Sequence, residues 1–140
     1  LRERFQDAGL LLVGAGSLEE ELGARIASKP YARHILLCGD LPHPVTLAAI
    51  AKSDLMLRTT CYDGDSIAVR EALHLGTPVV ATDNGMRPEG VDLIPASNLE
   101  ALCQACQRRL SEAAPRQRRP QAGKENIQAV FDLYRELTET

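Results

Sequence analysis

Runs of mostly apolar residues alternate with amphipathic segments over the first 110 positions of the chain. Apolar runs without an alternating polar position are typical of strands that are buried on both faces of a sheet. They predict five strands, at residues 10–13, 34–38, 54–57, 79–81 and 91–95. Apolar residues at helical spacing predict four helices between and after these strands, at residues 19–28, 45–51, 65–75 and 98–110.

Local signals mark where the predicted elements begin and end. Gly76, followed by Pro78, is a stop signal for the third helix because glycine readily adopts the left-handed conformation. Two prolines, Pro42 and Pro44, predict an irregular loop at residues 39–44. Candidate N-caps are Ser17 for the first helix, Asp65 or Ser66 for the third, and Ser97 for the fourth.

Strands that alternate with helices across short loops predict an α/β fold with a Rossmann-like, doubly wound parallel sheet. In such a sheet, ligands bind at the carboxyl ends of the strands. Residues 1–112 are predicted to form this domain, beginning with the end of a helix at residues 1–8. A segment rich in Arg, Gln, Pro and Gly is predicted to be a linker at residues 113–124. Residues 125–140 are predicted to form a final amphipathic helix.

The segment from Cys61 to Asp83 is predicted to be a loop, a helix, a tight turn and a buried strand. Gly64 lets the backbone of the loop approach a ligand closely. The first turn of the following helix leaves backbone N–H groups unpaired, and these favour an anion such as a diphosphate. Two carboxylates, Asp63 and Glu71, flank this anion site with seven residues between them.

This spacing resembles a signature of the group 1 glycosyltransferases, the retaining GT-B enzymes of family four. In that family a Glu, seven residues and a second Glu precede Ala, a short turn and Gly-x-Pro-Val-Val-Ala. Residues 71–83, Glu-Ala-Leu-His-Leu-Gly-Thr-Pro-Val-Val-Ala-Thr-Asp, are similar to the second half, and Asp63-Gly64 stands where the family has Glu-Gly. The likeness covers residues 10–110 in order, including Leu-Leu-Val-Gly-Ala-Gly at 11–16 and Ile-Leu-Leu-Cys-Gly at 35–39.

The resemblance implies a site for a nucleotide-sugar donor, such as a UDP- or GDP-sugar. Glu71 would accept hydrogen bonds from the ribose hydroxyls and Asp63 from hydroxyls of the donor sugar, since a carboxylate accepts and a sugar donates. The other implied binding positions are Gly39, Asp40 and Leu41 against the base, the backbone N–H groups of Gly64, Asp65, Ser66 and Ile67 for the diphosphate, and Arg58 and Arg87 as local cations.

The activity implied by the resemblance is hexosyl transfer to an acceptor with retention of configuration, without a cofactor or a metal. In the family this domain opens with a further strand and helix, and an acceptor-binding domain precedes it. The chain is therefore interpreted as a fragment of a cytoplasmic transferase that is inactive by itself. Its expected partners are the donor and the missing N-terminal domain, and the intact protein is compatible with peripheral membrane contact.

Composition sets limits on other roles. A length of 140 residues with 44% hydrophobic residues suits one globular domain, and a net charge of −3 gives no overall electrostatic case for nucleic acid. No apolar run is long enough to span a membrane. The four cysteines lack the spacing of a disulfide scaffold or a zinc site, which favours a reducing cytoplasm; they are Cys38, Cys61, Cys103 and Cys106.

Two other classes of function stay open on sequence grounds. A dinucleotide-binding oxidoreductase would account for Gly14-Ala15-Gly16 after a strand, although Glu19 occupies the place of the third glycine of that fingerprint. A non-catalytic module would use its α/β sheet and the basic segment at residues 108–119 to bind a partner protein or an anionic surface.

Overall fold

The computed structural model describes residues 1–112, 132 and 135. The chain divides into two compact units, Leu1–Ala49 and Ile50–Thr140, and the domain predicted at residues 1–112 spans both. The predicted linker lies outside the described residues. So does the predicted final helix, apart from Asp132 and Arg135, whose side chains form an ion pair at 3.6 Å.

The first unit contains a two-stranded parallel sheet. Its elements are β1 (Leu10–Val13), α1 (Glu19–Ala27), a short 3-10 helix (Ala32–His34) and β2 (Ile35–Gly39). Leu10 pairs with Ile35, and the register shifts after Leu12. Residues 1–8, predicted to end a helix, form turns instead, one of them closed by a hydrogen bond from Phe5 N to Leu1 O at 2.9 Å.

The prediction that both strands of this unit are buried is wrong. Leu11 is 48% exposed and Leu36 is 59% exposed, and no residue of β1 or β2 is fully buried. The reason is the size of the sheet, because two strands have too little surface to enclose a hydrophobic core. The sequence of these strands is as apolar as that of buried strands, but in the structure the strands are partly exposed to solvent.

The second unit contains a three-stranded parallel sheet in the order β3-β4-β5. Its elements are β3 (Met56–Arg58), α3 (Ile67–Leu75), β4 (Val79–Thr82), β5 (Asp92–Ile94) and α4 (Leu99–Ser111), and α2 (His43–Lys52) contains the boundary between the units. The central strand, β4, is buried along its whole length. The prediction of a buried strand at residues 79–81 is confirmed.

Side chains of β4 alternate between two hydrophobic clusters. Val79 and Ala81 belong to a cluster that includes residues of α3, whereas Val80 packs with Ile94 and with Ala105 of α4. Because successive residues of a strand point to opposite faces, α3 and α4 contribute to the cores on the two faces of the sheet. This arrangement of helices on both faces of a parallel sheet is the one predicted for a doubly wound fold.

All strand pairs in the described part of the chain are parallel, which confirms the Rossmann-like α/β fold class. The strands are divided between two sheets of two and three strands, however, rather than joined in one sheet of four or more.

Several predicted boundaries are corrected by the structure. The loop predicted at residues 39–44 is shorter, since α2 already begins at His43. Pro44 lies in the first turn of this helix, where a backbone N–H would have no helical partner and its loss is tolerated. The N-cap of α1 is Leu18 rather than Ser17, and it forms no side-chain cap.

The predicted caps of α3 and α4 are partly confirmed by the structure. Gly76 adopts φ 78° at the end of α3, as predicted. Ser66 is the N-cap of α3, but its side chain makes no capping bond and its φ is 59°. Asn98, not Ser97, caps α4, because its side-chain oxygen accepts a hydrogen bond from Ala101 N at 2.9 Å.

Candidate functional site

Two loops of the second unit meet at the carboxyl edge of its sheet. Arg58 is the last residue of β3, and Asp63 and Gly64 lie in the loop that leads from it to α3. Arg87 lies in the loop that follows β4. Since β3 and β4 are parallel neighbours, their carboxyl ends bring these two loops together. The structure therefore groups four of the residues that the sequence predicted as a site.

One oxygen of Asp63 is the centre of this group. Asp63 Oδ2 accepts hydrogen bonds from Arg58 Nε at 2.6 Å, Thr60 Oγ1 at 3.0 Å and Arg87 Nη1 at 3.2 Å. The hydrogen bond from Arg58, followed by those from Thr60 and Arg87, holds the pKa of Asp63 well below its ordinary value, although partial burial opposes this effect. Asp63 is therefore a carboxylate at neutral pH. Its other oxygen, Oδ1, takes no hydrogen bond from any described residue.

Asn84 and Arg87 hold the backbone of the Asp63 loop. Asn84 Nδ2 donates to Asp63 O and, at 3.2 Å, to Gly64 O, and Arg87 Nη1 donates to Gly64 O at 3.2 Å. The Asn84 side chain also accepts a hydrogen bond from Met86 N at 3.1 Å. Neither Thr60 nor Asn84 was predicted as a site residue. Nothing local in the sequence around Asn84 indicates contacts across twenty positions.

The start of α3 presents unpaired backbone donors. Backbone N–H groups from Gly64 to Ala68 donate no hydrogen bond within the described part of the chain. The nearby carboxylate of Asp65 is paired with Arg70, whose Nε lies 2.5 Å from Asp65 Oδ2. This pairing offsets a negative charge that would otherwise oppose an anion at the helix start. Glu71 follows in the next turn of α3 and is half-buried.

The remaining predicted binding residues belong to the first unit. Gly39 ends β2 with φ 61°, and Asp40 and Leu41 follow it. Their placement beside the Asp63 loop stays a prediction. Within the described residues, no group of three or more His, Cys, Asp or Glu could hold a metal ion, and no described helix is long and apolar enough to cross a membrane.

The positions of charged residues argue against both alternative functions. The first turn of α1, after Gly14-Ala15-Gly16, contains Glu19, Glu20 and Glu21, and three carboxylates disfavour a dinucleotide phosphate there. In the basic segment proposed for a binding module, Arg108 and Arg109 both pair with Asp92, at 3.1 and 2.5 Å. Those two arginines thus already have a structural partner within the second unit.

Comparison with known families concerns the same part of the chain. A family model described as glycosyl transferases group 1 matches residues 1–112. No curated protein matches the chain. The matched region contains every described strand and helix and all the residues of the candidate site. The chain therefore belongs to the group 1 glycosyltransferases, enzymes that transfer glycosyl groups.

Proposed function

We propose that the edge formed by Arg58, Asp63, Gly64 and the start of α3 is the diphosphate and sugar side of a nucleotide-sugar donor site. The observation that carries the proposal is the row of unpaired backbone N–H groups from Gly64 to Ala68. Such groups at a helix start, aligned with the helix dipole, bind anions. A diphosphate is the anion that a nucleotide-sugar presents.

Arg58 is the cation suited to that diphosphate. Its Nε is bound to Asp63, whereas its Nη1 and Nη2 groups donate no hydrogen bond within the described part of the chain. Its side chain is 37% exposed, so a ligand can reach it. A guanidinium group with free N–H donors forms charge-assisted, bidentate hydrogen bonds with phosphate oxygens.

The two carboxylates would bind the hydroxyl groups of the donor. Asp63 keeps Oδ1 for a hydroxyl of the sugar while Oδ2 is held by protein groups. Glu71, on α3, would accept from the ribose, and Gly39, Asp40 and Leu41 would contact the base through their main chain. No metal or cofactor takes part in this assignment, and the donor is a substrate.

In the intact protein we propose a retaining hexosyltransferase of the GT-B type, in which this chain is one half of the cleft. The acceptor-binding domain would supply the opposite wall, so the chain alone should transfer no sugar.

Titration with UDP, GDP, ADP and NAD, followed by NMR shifts of backbone amides, tests the proposal. We expect a nucleoside diphosphate to shift the amides of residues 64–68, and Glu71→Gln to weaken its binding by about tenfold, the loss expected for a hydrogen bond to a charged group. Glu100→Gln, an exposed glutamate on α4, is the matched control and should change nothing.

Three results would contradict the proposal. Preference for NAD with shifts near Gly14 would favour an oxidoreductase, and no nucleotide binding at all would favour a non-catalytic module. Binding that Glu71→Gln leaves unchanged would overturn the assignment of Glu71.

A further inference from the structure

Arg87 donates hydrogen bonds through all three nitrogens of its guanidinium group. Its Nε donates to Thr82 O at 3.2 Å, and its Nη1 donates to Asp63 Oδ2 and Gly64 O, both at 3.2 Å. Its Nη2 donates to Thr60 O at 3.2 Å and to Thr60 Oγ1 at 3.4 Å. These contacts join the end of β4 to three residues of the loop that follows β3.

A guanidinium group has five N–H donors, and each of the five is used in these contacts. The Arg87 side chain is also 0% exposed. A ligand phosphate would therefore have to displace protein acceptors and open a buried contact before it could bind Arg87. This geometry argues against the role of phosphate ligand that the sequence suggested for Arg87.

Arg58 provides the contrast within the same cluster. It also binds Asp63 Oδ2, but its side chain is partly exposed and only its Nε donor is used within the described residues. The two arginines thus share one carboxylate and differ in accessibility. Arg58 has donors to offer a ligand, and Arg87 has none.

We infer that Arg87 is a positioning residue, which fixes the Asp63 carboxylate so that Oδ1 is presented to a hydroxyl of the donor sugar. The inference rests on the proposed function, because it assigns a role within that donor site. Arg87 donates to Asp63 Oδ2, to Gly64 O and to Thr60 O. These contacts restrict rotation of the carboxylate and movement of the loop around it. A group held in place before the ligand binds loses less conformational entropy on binding.

This role predicts that Arg87 affects recognition of the sugar more strongly than recognition of the diphosphate, to which Arg87 has no free N–H group to offer. The measurable quantity is the ratio of two dissociation constants, that of the nucleoside diphosphate over that of the matching nucleotide-sugar. UDP with UDP-glucose and GDP with GDP-mannose are suitable pairs. A ratio above one measures what the sugar adds to binding, and it is insensitive to a defect that weakens both ligands equally.

The experiment measures this ratio by calorimetry for the full chain and four variants. In the unaltered chain we expect the sugar to improve affinity by roughly tenfold, as for a hydrogen bond to a charged group. Arg87→Met and Asp63→Asn should both reduce the ratio to about one, while the affinity for the nucleoside diphosphate stays within about threefold. Arg58→Met should instead weaken the nucleoside diphosphate itself by about tenfold. Arg108→Met, an exposed arginine on α4, should change neither constant.

Several outcomes would overturn the role of Arg87. One is that Arg87→Met weakens the nucleoside diphosphate as strongly as Arg58→Met does, which would make Arg87 a direct ligand. Another is an unchanged ratio in Asp63→Asn, a variant that keeps Arg87 and therefore still decides the matter if Arg87→Met does not fold. Absence of any nucleotide binding by the unaltered chain overturns the proposed function and this role with it. Retained diphosphate binding with an unchanged ratio overturns the role of Arg87 alone.

Discussion

Arg87 Nη1 lies 3.2 Å from Asp63 Oδ2, although 24 positions separate the two residues along the chain. The contact joins the loop after β3 to the loop after β4, at the carboxyl edge of the sheet. The Arg87 side chain is fully buried while Asp63 keeps partial access to solvent. The pair therefore has one partner inside the protein and one at its surface, as expected where a scaffold holds a binding group.

Lowering the pH should reduce the contribution of this contact to the free energy of unfolding. Because the pKa of Asp63 is lowered in the folded chain from its ordinary value of 3.8, its contribution to stability is complete above about pH 4 and is lost as the pH falls toward the folded-state value. Asp63→Asn should lower the free energy of unfolding at pH 7, and the difference from the unaltered chain should shrink below about pH 4. Denaturant unfolding at several pH values measures this, and a difference that is constant from pH 7 to pH 3 would contradict it.

Gly76 should resist replacement because of its backbone conformation. At φ 78° a Cβ atom is strained, so Gly76→Ala should lower the free energy of unfolding by roughly 1–2 kcal/mol. Gly76→Asn should cost less, since asparagine enters the left-handed region more easily. Gly23→Ala in α1 is the control, because a Cβ there would meet Leu37 at an ordinary contact distance of 3.7 Å. Equal losses for Ala at both glycines would exclude this explanation.

Thr77 ties the turn after α3 to the end of α2. Its hydroxyl group donates to Ile50 O at 2.8 Å, and the residue is 1% exposed. Thr77→Val keeps the size of the side chain but removes this buried hydrogen bond, while Ile50 O retains Ser53 N as a donor at 3.1 Å, so the loss of stability should be about 1 kcal/mol. Thr59→Val, at an exposed position, should have little effect. Thermal or denaturant unfolding of both variants provides the test, and equal stability of the two would show that the hydroxyl is dispensable.

The cysteines should differ in reactivity. Burial raises the pKa of the Cys106 thiol, and Cys106 is only 1% exposed, whereas Cys61 is exposed. Since the thiolate is the reactive form, iodoacetamide at pH 8 should modify Cys61 first and Cys106 last. Peptide mass spectrometry over time gives the order. Modification of Cys106 as fast as Cys61 in the folded chain would mean that α4 opens readily.

Features that depend on neighbouring residues could be predicted from the sequence. The stop at Gly76 and the buried strand at Val79 depend on neighbouring residues or on a continuous apolar run, and both were predicted correctly. The start of α2 differs from the prediction because a helix tolerates proline in its first turn, although proline breaks a helix in its interior.

The interior of the candidate site was less accessible to sequence analysis. Arg58, Asp63, Gly64 and Arg87 lie together in the structure, and their binding roles stay predictions. The difference between the two arginines depends on burial and on hydrogen bonds across more than twenty positions. A charged residue in a polar loop has the same local pattern whether it faces solvent or is enclosed. The contribution of Asn84 was missed for the same reason.

The partly solvated strands of the first unit have a consequence for work with the isolated chain. Leu10, Leu11, Val13 and Leu36 are each at least 39% exposed. Short apolar segments of high strand propensity, left uncovered, recruit identical segments from other molecules by edge-to-edge pairing. At high protein concentration the chain should therefore be prone to aggregation that begins at this sheet, and a charged substitution such as Leu36→Lys should improve its solubility.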